Sequence, residues 1–325
     1  MHFTLKNGVA IYGGFEGKED PATFNLDNRN FENNETILSG HFWDPKTPPA
    51  LHFHTYHVVY HPQGTDLDET AVLDGFTISG GKADGTYPHN RGGGMFNYQS
   101  SPVLRNSTFH GNNASLSGGG ISNEDCSPTI LNCTFHSNSA QNGGAIRNAY
   151  SQPLIINSTF SGNIATETAG GIYNSYSNLE ILNCTFFQNS DPAIFNSNFS
   201  PIIRNSIIFD NSRNIVNDEL ASPDVSFSLI GKRGDLVYPG EGNINADPLL
   251  EPLSHNGGAT LTHAIPRNSP AYAIPKDAGD GNWNGAPDTD QRGVRRAMTG
   301  FRAIGAYEDS RLVQPGVLML LLDDE

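Results

Sequence analysis

Several groups of residues in this chain are of types that do chemistry at the right spacing. His52 and His54 alternate, so on a strand they share one face. That spacing suits a zinc-binding pair, with His57 and His61 close behind and a third ligand required from elsewhere in the chain, but a solvated face beside the proline-rich segment at 41–51 is the first reading. Near the C-terminus, Asp277, Asp280, Asn282, Asn284, Asp288 and Asp290 gather side-chain oxygens in a Gly-rich stretch. Calcium takes about six to eight such oxygens in loose geometry. The run lacks the closing Glu of an EF-hand loop, so a solvated loop is the first reading, and calcium at Asp277, Asp280, Asp288 and Asp290 is the one cofactor candidate beside it.

Acid–base chemistry on a polysaccharide needs two carboxylates at a fixed separation, or acids for a metal beside an Arg or Lys base. Between residues 92 and 214 the acids are few: Glu124, Asp125, Glu167, Glu180, Asp191 and Asp210. Only Glu124 and Asp125 are adjacent, and adjacent strand residues point to opposite faces. Arg105 and Arg204 fall in one column, four units apart. No acid–base pair emerges. Phe42, Trp43, Tyr87 and Tyr98 lie in or beside irregular segments and are the candidates for stacking on a ligand, against ordinary loop packing.

A repeat of about 25 residues must position these groups. It reads GGGMFN…LRNSTFHGN from Gly92, GGGISN…ILNCTFHSN from Gly118, GGAIRN…IINSTFSGN from Gly143 and AGGIYN…ILNCTFFQN from Ala169, fading to PAIFN…IRNSIIFDN from Pro192. Asn106, Asn132, Asn157, Asn183 and Asn205 hold one position; Phe109, Phe135, Phe160 and Phe186 another, with Ile208 fifth. The apolar runs are too short for helices and favour strands. Inward parity switches at the Asn106 column, so the chain turns a corner there, which Asn tolerates. Met95, Ile121, Ile146, Ile172 and Ile194 imply a further strand, with a second corner expected at Asn97, Asn123, Asn148, Asn174 and Asn196. Gly runs supply a tight turn and Ser-Pro pairs mark strand starts. About three short strands per unit, each pairing with its copy about 4.8 Å away, predict an all-β right-handed parallel β-helix. Phe and Ile then form a stacked core, and Thr108, Thr134, Thr159 and Thr185 an outward column.

Residues 1–250 are assigned to the β-helix, with regular repeats over 92–214 and irregular coils on either side; 251–325 form an irregular tail expected to cap the solenoid end, where open strand edges need cover. The chain of 325 residues is acidic, at −15, with only 16% charged residues. Nucleic acid needs a basic footprint and is excluded as a partner. Cys133 and Cys184 share a column two coils, or about 9–10 Å, apart, beyond the ~7 Å that a disulfide spans. No signal peptide is legible at the start, and the apolar run at 317–322 is far short of the ~20 residues of a membrane span. The protein is expected to be monomeric.

The segments GVAIYGGFEG, TAVLDGFTISGG, the GG-x-I/F-x-N and F-x-x-N repeats, and the tail GNINADPLL…HNGGATLTHAIPRNSPA…DAGD…TDQRGVRR…IGAYE resemble bacterial surface β-helix proteins of the choice-of-anchor Q type. The repeats are also similar to those of chlamydial polymorphic outer-membrane proteins. The resemblance covers about residues 8–308. It implies an extracellular or cell-surface location and a non-enzymatic passenger role, adhesion or binding to glycan or matrix, and it supplies no catalytic residues. The tail departs from the usual pattern at SPAYAIPKDAGD and at Ala303. The alternative is a polysaccharide lyase or glycoside hydrolase, since pectin lyases and polygalacturonases share the β-helix fold.

Overall fold

At Asn106, Asn132, Asn157, Asn183 and Asn205 the backbone is left-handed, with φ between 47° and 55°. Each of these residues separates a strand that ends just before it from one that begins two residues later. The computed structural model describes residues 2–43, 52–190, 192–232, 236–271, 274–275, 287–296 and 301–308. The fold is a right-handed parallel β-helix. Its first sheet stacks eight strands from Ala10–Tyr12 to Asp224–Ser226, its second eight from Ile37–Ser39 to Leu229–Gly231, and its third seven from Val59–His61 to Ile215–Asn217.

The register follows the repeat. Phe109 pairs with Ile78 on one side and Phe135 on the other, then Phe160, Phe186 and Ile208 follow. The four Phe rings stack at 5.0, 4.9 and 4.4 Å and are fully buried. Burying each ring contributes about 1.5–3 kcal/mol. Gly92, Gly118 and Gly143 turn the chain at φ near 65°, and a Cβ on any of them would lie 2.3–2.4 Å from a carbonyl oxygen. Phe3 bridges Val59, Ala10–Tyr12 pairs with Val72–Asp74 and Ile37–Ser39 with Thr77–Ser79, so the chain before the regular repeats forms coils of the same helix.

The structure departs from the sequence reading in four places. A short fourth sheet joins Lys82–Ala83, Asn113–Ala114, Ser139–Asn142 and Ile164–Thr168, giving the middle coils a fourth strand. The Asn97 column is not a corner. It lies inside strands such as Met95–Tyr98, fully buried, and its amides hydrogen-bond from coil to coil: Asn97 to Asn123 and Asn123 to Asn148, both at 2.9 Å. The corner comes two residues later, at Gln99, Asp125, Tyr150, Tyr176 and Asn198, all with positive φ.

The proline-rich segment at 41–51, which reads as a loop from its sequence, begins with a strand: His41–Trp43 pairs antiparallel with His52–His54, and 44–51 lie outside the described residues. Finally, the Thr column does not face solvent. Thr134, Thr159 and Thr185 are buried beneath the tail, which runs along the flank of the second sheet. Thr134 Oγ1 donates to Leu261 O at 2.6 Å, Gly305 N to Asn205 O at 2.7 Å and Ala306 N to Thr185 Oγ1 at 3.0 Å. Ile265, Ala271, Ala303 and Ile304 pack there on Ile207, Phe209 and Leu229. A row of hydroxyls flanked by apolar side chains is a surface that a polar strap can satisfy. The C-terminal end is approached instead by the chain before the tail, where Ile244 bridges Leu229 and Tyr238 packs on the core.

Candidate functional site

Glu124 ends the strand Ile121–Glu124. Ile121 and Asn123 face inward there, so Glu124 faces out from the third sheet. Its Oε1 accepts from Arg91 Nη1 and Arg147 Nη1, both at 2.5 Å, and Tyr87 donates its hydroxyl to Oε2 at 3.3 Å. The Arg91 guanidinium also lies over the Tyr87 ring, 5.1 Å from its centre. These side chains are only 22% (Arg91), 15% (Arg147) and 10% (Glu124) exposed. Burial lowers the Arg147 pKa and the Glu124 charge partly offsets this; burial, then Glu124, raises that of the Tyr87 hydroxyl.

Aromatic rings surround the triad. Tyr98 is the register neighbour of Glu124, and Tyr173 that of Arg147; Tyr173 stacks on Phe195 at 5.4 Å. Guanidinium edges can donate to hydroxyl or carboxylate oxygens, and the rings beside them offer apolar faces.

Tyr87 and Tyr98, picked from sequence, thus meet around Glu124. Phe42 does not join them: it sits on the hairpin that follows the first strand of the second sheet, opposite Phe53, and both are exposed. The Trp43 and His52 side chains lie outside the described residues. Arg91 and Arg147 were missed. The repeat register that aligns Ile121 with Ile146 also sets Arg147 one coil from Ser122, and that was the available signal.

Among the described residues the histidines do not gather into a zinc site. His54 is exposed and stacks on His41 at 4.8 Å. His57 is buried, with Nδ1 2.9 Å from Gly92 O and Nε2 2.9 Å from His89 Nδ1. His61 pairs in register with Asn97 and heads its amide column, with Nδ1 2.7 Å from Asn97 Oδ1. Leu5 N donates to His61 Nε2 at 3.1 Å. His57 and His61 have pKa values lowered to about 4, chiefly by burial. Among the described residues no three His, Cys, Asp or Glu side chains converge as a metal site. His110 and His136 stack at 5.1 Å on the flank.

Of the calcium candidates, Asp277 and Asp280 lie outside the described residues and Asp288 is exposed. Asp290 is fully buried and filled by N–H donors. Oδ1 accepts from Arg292 N and Val294 N at 2.9 Å, and Oδ2 from Glu308 N at 2.9 Å and Arg292 Nη2 at 2.7 Å. Donors turned inward on both oxygens leave no lone pair for a cation, so Asp290 locks the tail. Arg296 and Glu308, both fully buried, form an ion pair beside it.

A groove of about 690 Å³ runs between the tail at Gly257–Ala259 and the loop at Leu26–Glu32, over Asn106 and Asn132. Its cations are already engaged, Arg29 by Asp74 and Arg292 by Asp290. The three cysteines are free and buried, their thiol pKa values pushed up to about 12 by burial. No helix among the described residues is long and apolar enough to cross a membrane.

A family model described as a right handed beta helix region matches residues 93–228. No curated protein and no solved structure matches the chain.

Proposed function

We infer that this protein is a non-enzymatic β-helix of the extracellular space or bacterial cell surface, which binds glycan or matrix polymer on its lateral face. The observation that carries this reading is the Arg91–Glu124–Arg147 triad, set among Tyr87, Tyr98 and Tyr173 on the outer side of the third sheet. The ions hold one another and the rings offer stacking area. This suits retention of a sugar chain better than bond cleavage, which needs an acid and a base free to exchange protons. The resemblance of repeats and tail to surface-displayed β-helix proteins supports the same reading.

The test is retention on immobilised polysaccharides. Tyr98→Ala and Tyr173→Ala should each weaken retention several-fold while the folded-state circular dichroism is kept. Retention equal to the parent in both variants would remove this face from the account.

A further inference from the structure

A second exposed feature lies one step along the same coils. At the corner after the third sheet the chain is left-handed in every repeat, and the corner residues are Gln99, Asp125, Tyr150, Tyr176 and Asn198. Asn and Asp adopt that conformation readily, whereas bulky residues in it are strained. Tyr150 has φ 53° and Tyr176 φ 50°. Their rings nonetheless remain exposed: Tyr150 is 64% exposed, Tyr176 44%, and the neighbouring Phe199 42%. They line up, one per coil. Tyr150 stacks on Tyr176 at 5.1 Å, and Tyr176 meets Phe199 edge-on at 6.5 Å. Strain together with exposed aromatic area is what a functional surface carries and a packing surface does not.

Directly after this corner runs a groove of about 300 Å³ lined by Gln152, Pro153, Asn178, Glu180 and Ser200 among others. Gln152 and Asn178 are exposed. A ledge of rings beside amides and a carboxylate has the composition of a carbohydrate site, apolar faces for the pyranose and acceptors and donors for its hydroxyls. The charge decides the class. Glu180 lies in the groove, Asp125 precedes Tyr150 in the corner row and the whole chain carries −15, so a polyanion is repelled.

We propose that the Tyr150–Tyr176–Phe199 row and its groove form a subsite for a neutral polysaccharide chain lying along the solenoid axis. The assignment rests on the glycan-binding reading above and narrows its ligand class.

The full chain is titrated by calorimetry with cellohexaose, mannohexaose and xylohexaose, and with polygalacturonate as the acidic comparison. The double variant Tyr150→Asn, Tyr176→Asn tests the row, since Asn accepts the left-handed backbone and the fold should hold or gain in thermal midpoint. The proposal expects at least one neutral hexasaccharide to bind the parent and to bind the double variant at least tenfold more weakly. Equal binding by the variant, or binding of polygalacturonate alone, overturns it. If Tyr98→Ala or Tyr173→Ala abolishes retention while the double variant does not, the glycan reading stands and this subsite falls. If no glycan binds at all, both fall.

Discussion

Gln291 and Thr159 are 132 residues apart in the chain, yet the Thr159 hydroxyl donates to Gln291 Oε1 at 2.7 Å in a fully buried contact. The same amide donates through Nε2 to Thr134 Oγ1 and Thr260 Oγ1, both at 2.8 Å. One glutamine therefore ties the tail to two coils of the solenoid. Gln291→Leu leaves several buried hydroxyls and carbonyls without partners, at about 1–3 kcal/mol each. Limited proteolysis of this variant should cut within 251–308 early, while the strand signal in circular dichroism is retained. A tail as resistant as the parent's would show that the strap is held by its apolar contacts instead.

A second buried amide column, running through Asn112, Asn138, Asn163 and Asn189, should matter more than the corner column. Asn138 accepts from Asn112 Nδ2 and donates to Asn163 Oδ1, both at 3.1 Å, and it donates to Phe109 O at 2.8 Å. Asn132 at the corner is only partly buried, and its Oδ1 has no partner. Asn138→Ala should cost about 3 kcal/mol by leaving buried groups unsatisfied, whereas Asn132→Gly keeps the left-handed backbone and should cost within about 1 kcal/mol. Urea denaturation of the two variants compares them directly, and equal midpoints would contradict the ranking.

These contrasts show what the sequence makes legible. The Phe109 column and the turn at Gly92 recur in type, because a stacked core and a clash-free turn admit few residues. The Asn138 column was visible as the last letter of F-x-x-N but carries no sign that its amides point inward. The corner at Tyr150 was misplaced because its residues vary from Gln99 to Asn198, so it has no signature. His61 extends the Asn97 column with a different residue type and was read as a metal candidate. The burial of Thr134 could not be read at all, since the cover is the distant Gln291.

Stability should fall in acid through His57 and His61. Their folded pKa values, about 4, lie below the ordinary 6.5, so between those limits the unfolded chain binds more protons than the folded one. The stabilisation is complete above about pH 6.5 and is lost as pH falls toward 4, on the order of 3 kcal/mol for each group. Thermal midpoints from pH 7 to pH 4 should drop steeply. His61→Gln, which can still accept from Leu5 and donate to Asn97, should flatten the curve. A parallel curve for the variant would assign the acid sensitivity elsewhere.

Glu124 should act as a latch for the loop over 84–91. Glu124→Ala leaves the two poorly exposed guanidinium groups of Arg91 and Arg147 without their shared partner. Breaking such a pair costs about 3 kcal/mol when buried, and less here in proportion to the residual exposure. Hydrogen exchange should speed up across 84–92 and stay unchanged at Phe160. Protection that is equally reduced in both places would mean global loosening rather than loss of a latch.

The most direct test is to incubate the purified chain with neutral and acidic polysaccharides, with and without calcium, and to follow both retention on the polymer and release of new chain ends. A non-enzymatic glycan-binding β-helix predicts retention without new ends, unchanged by calcium. New reducing or unsaturated ends growing with time would contradict it and identify an enzyme.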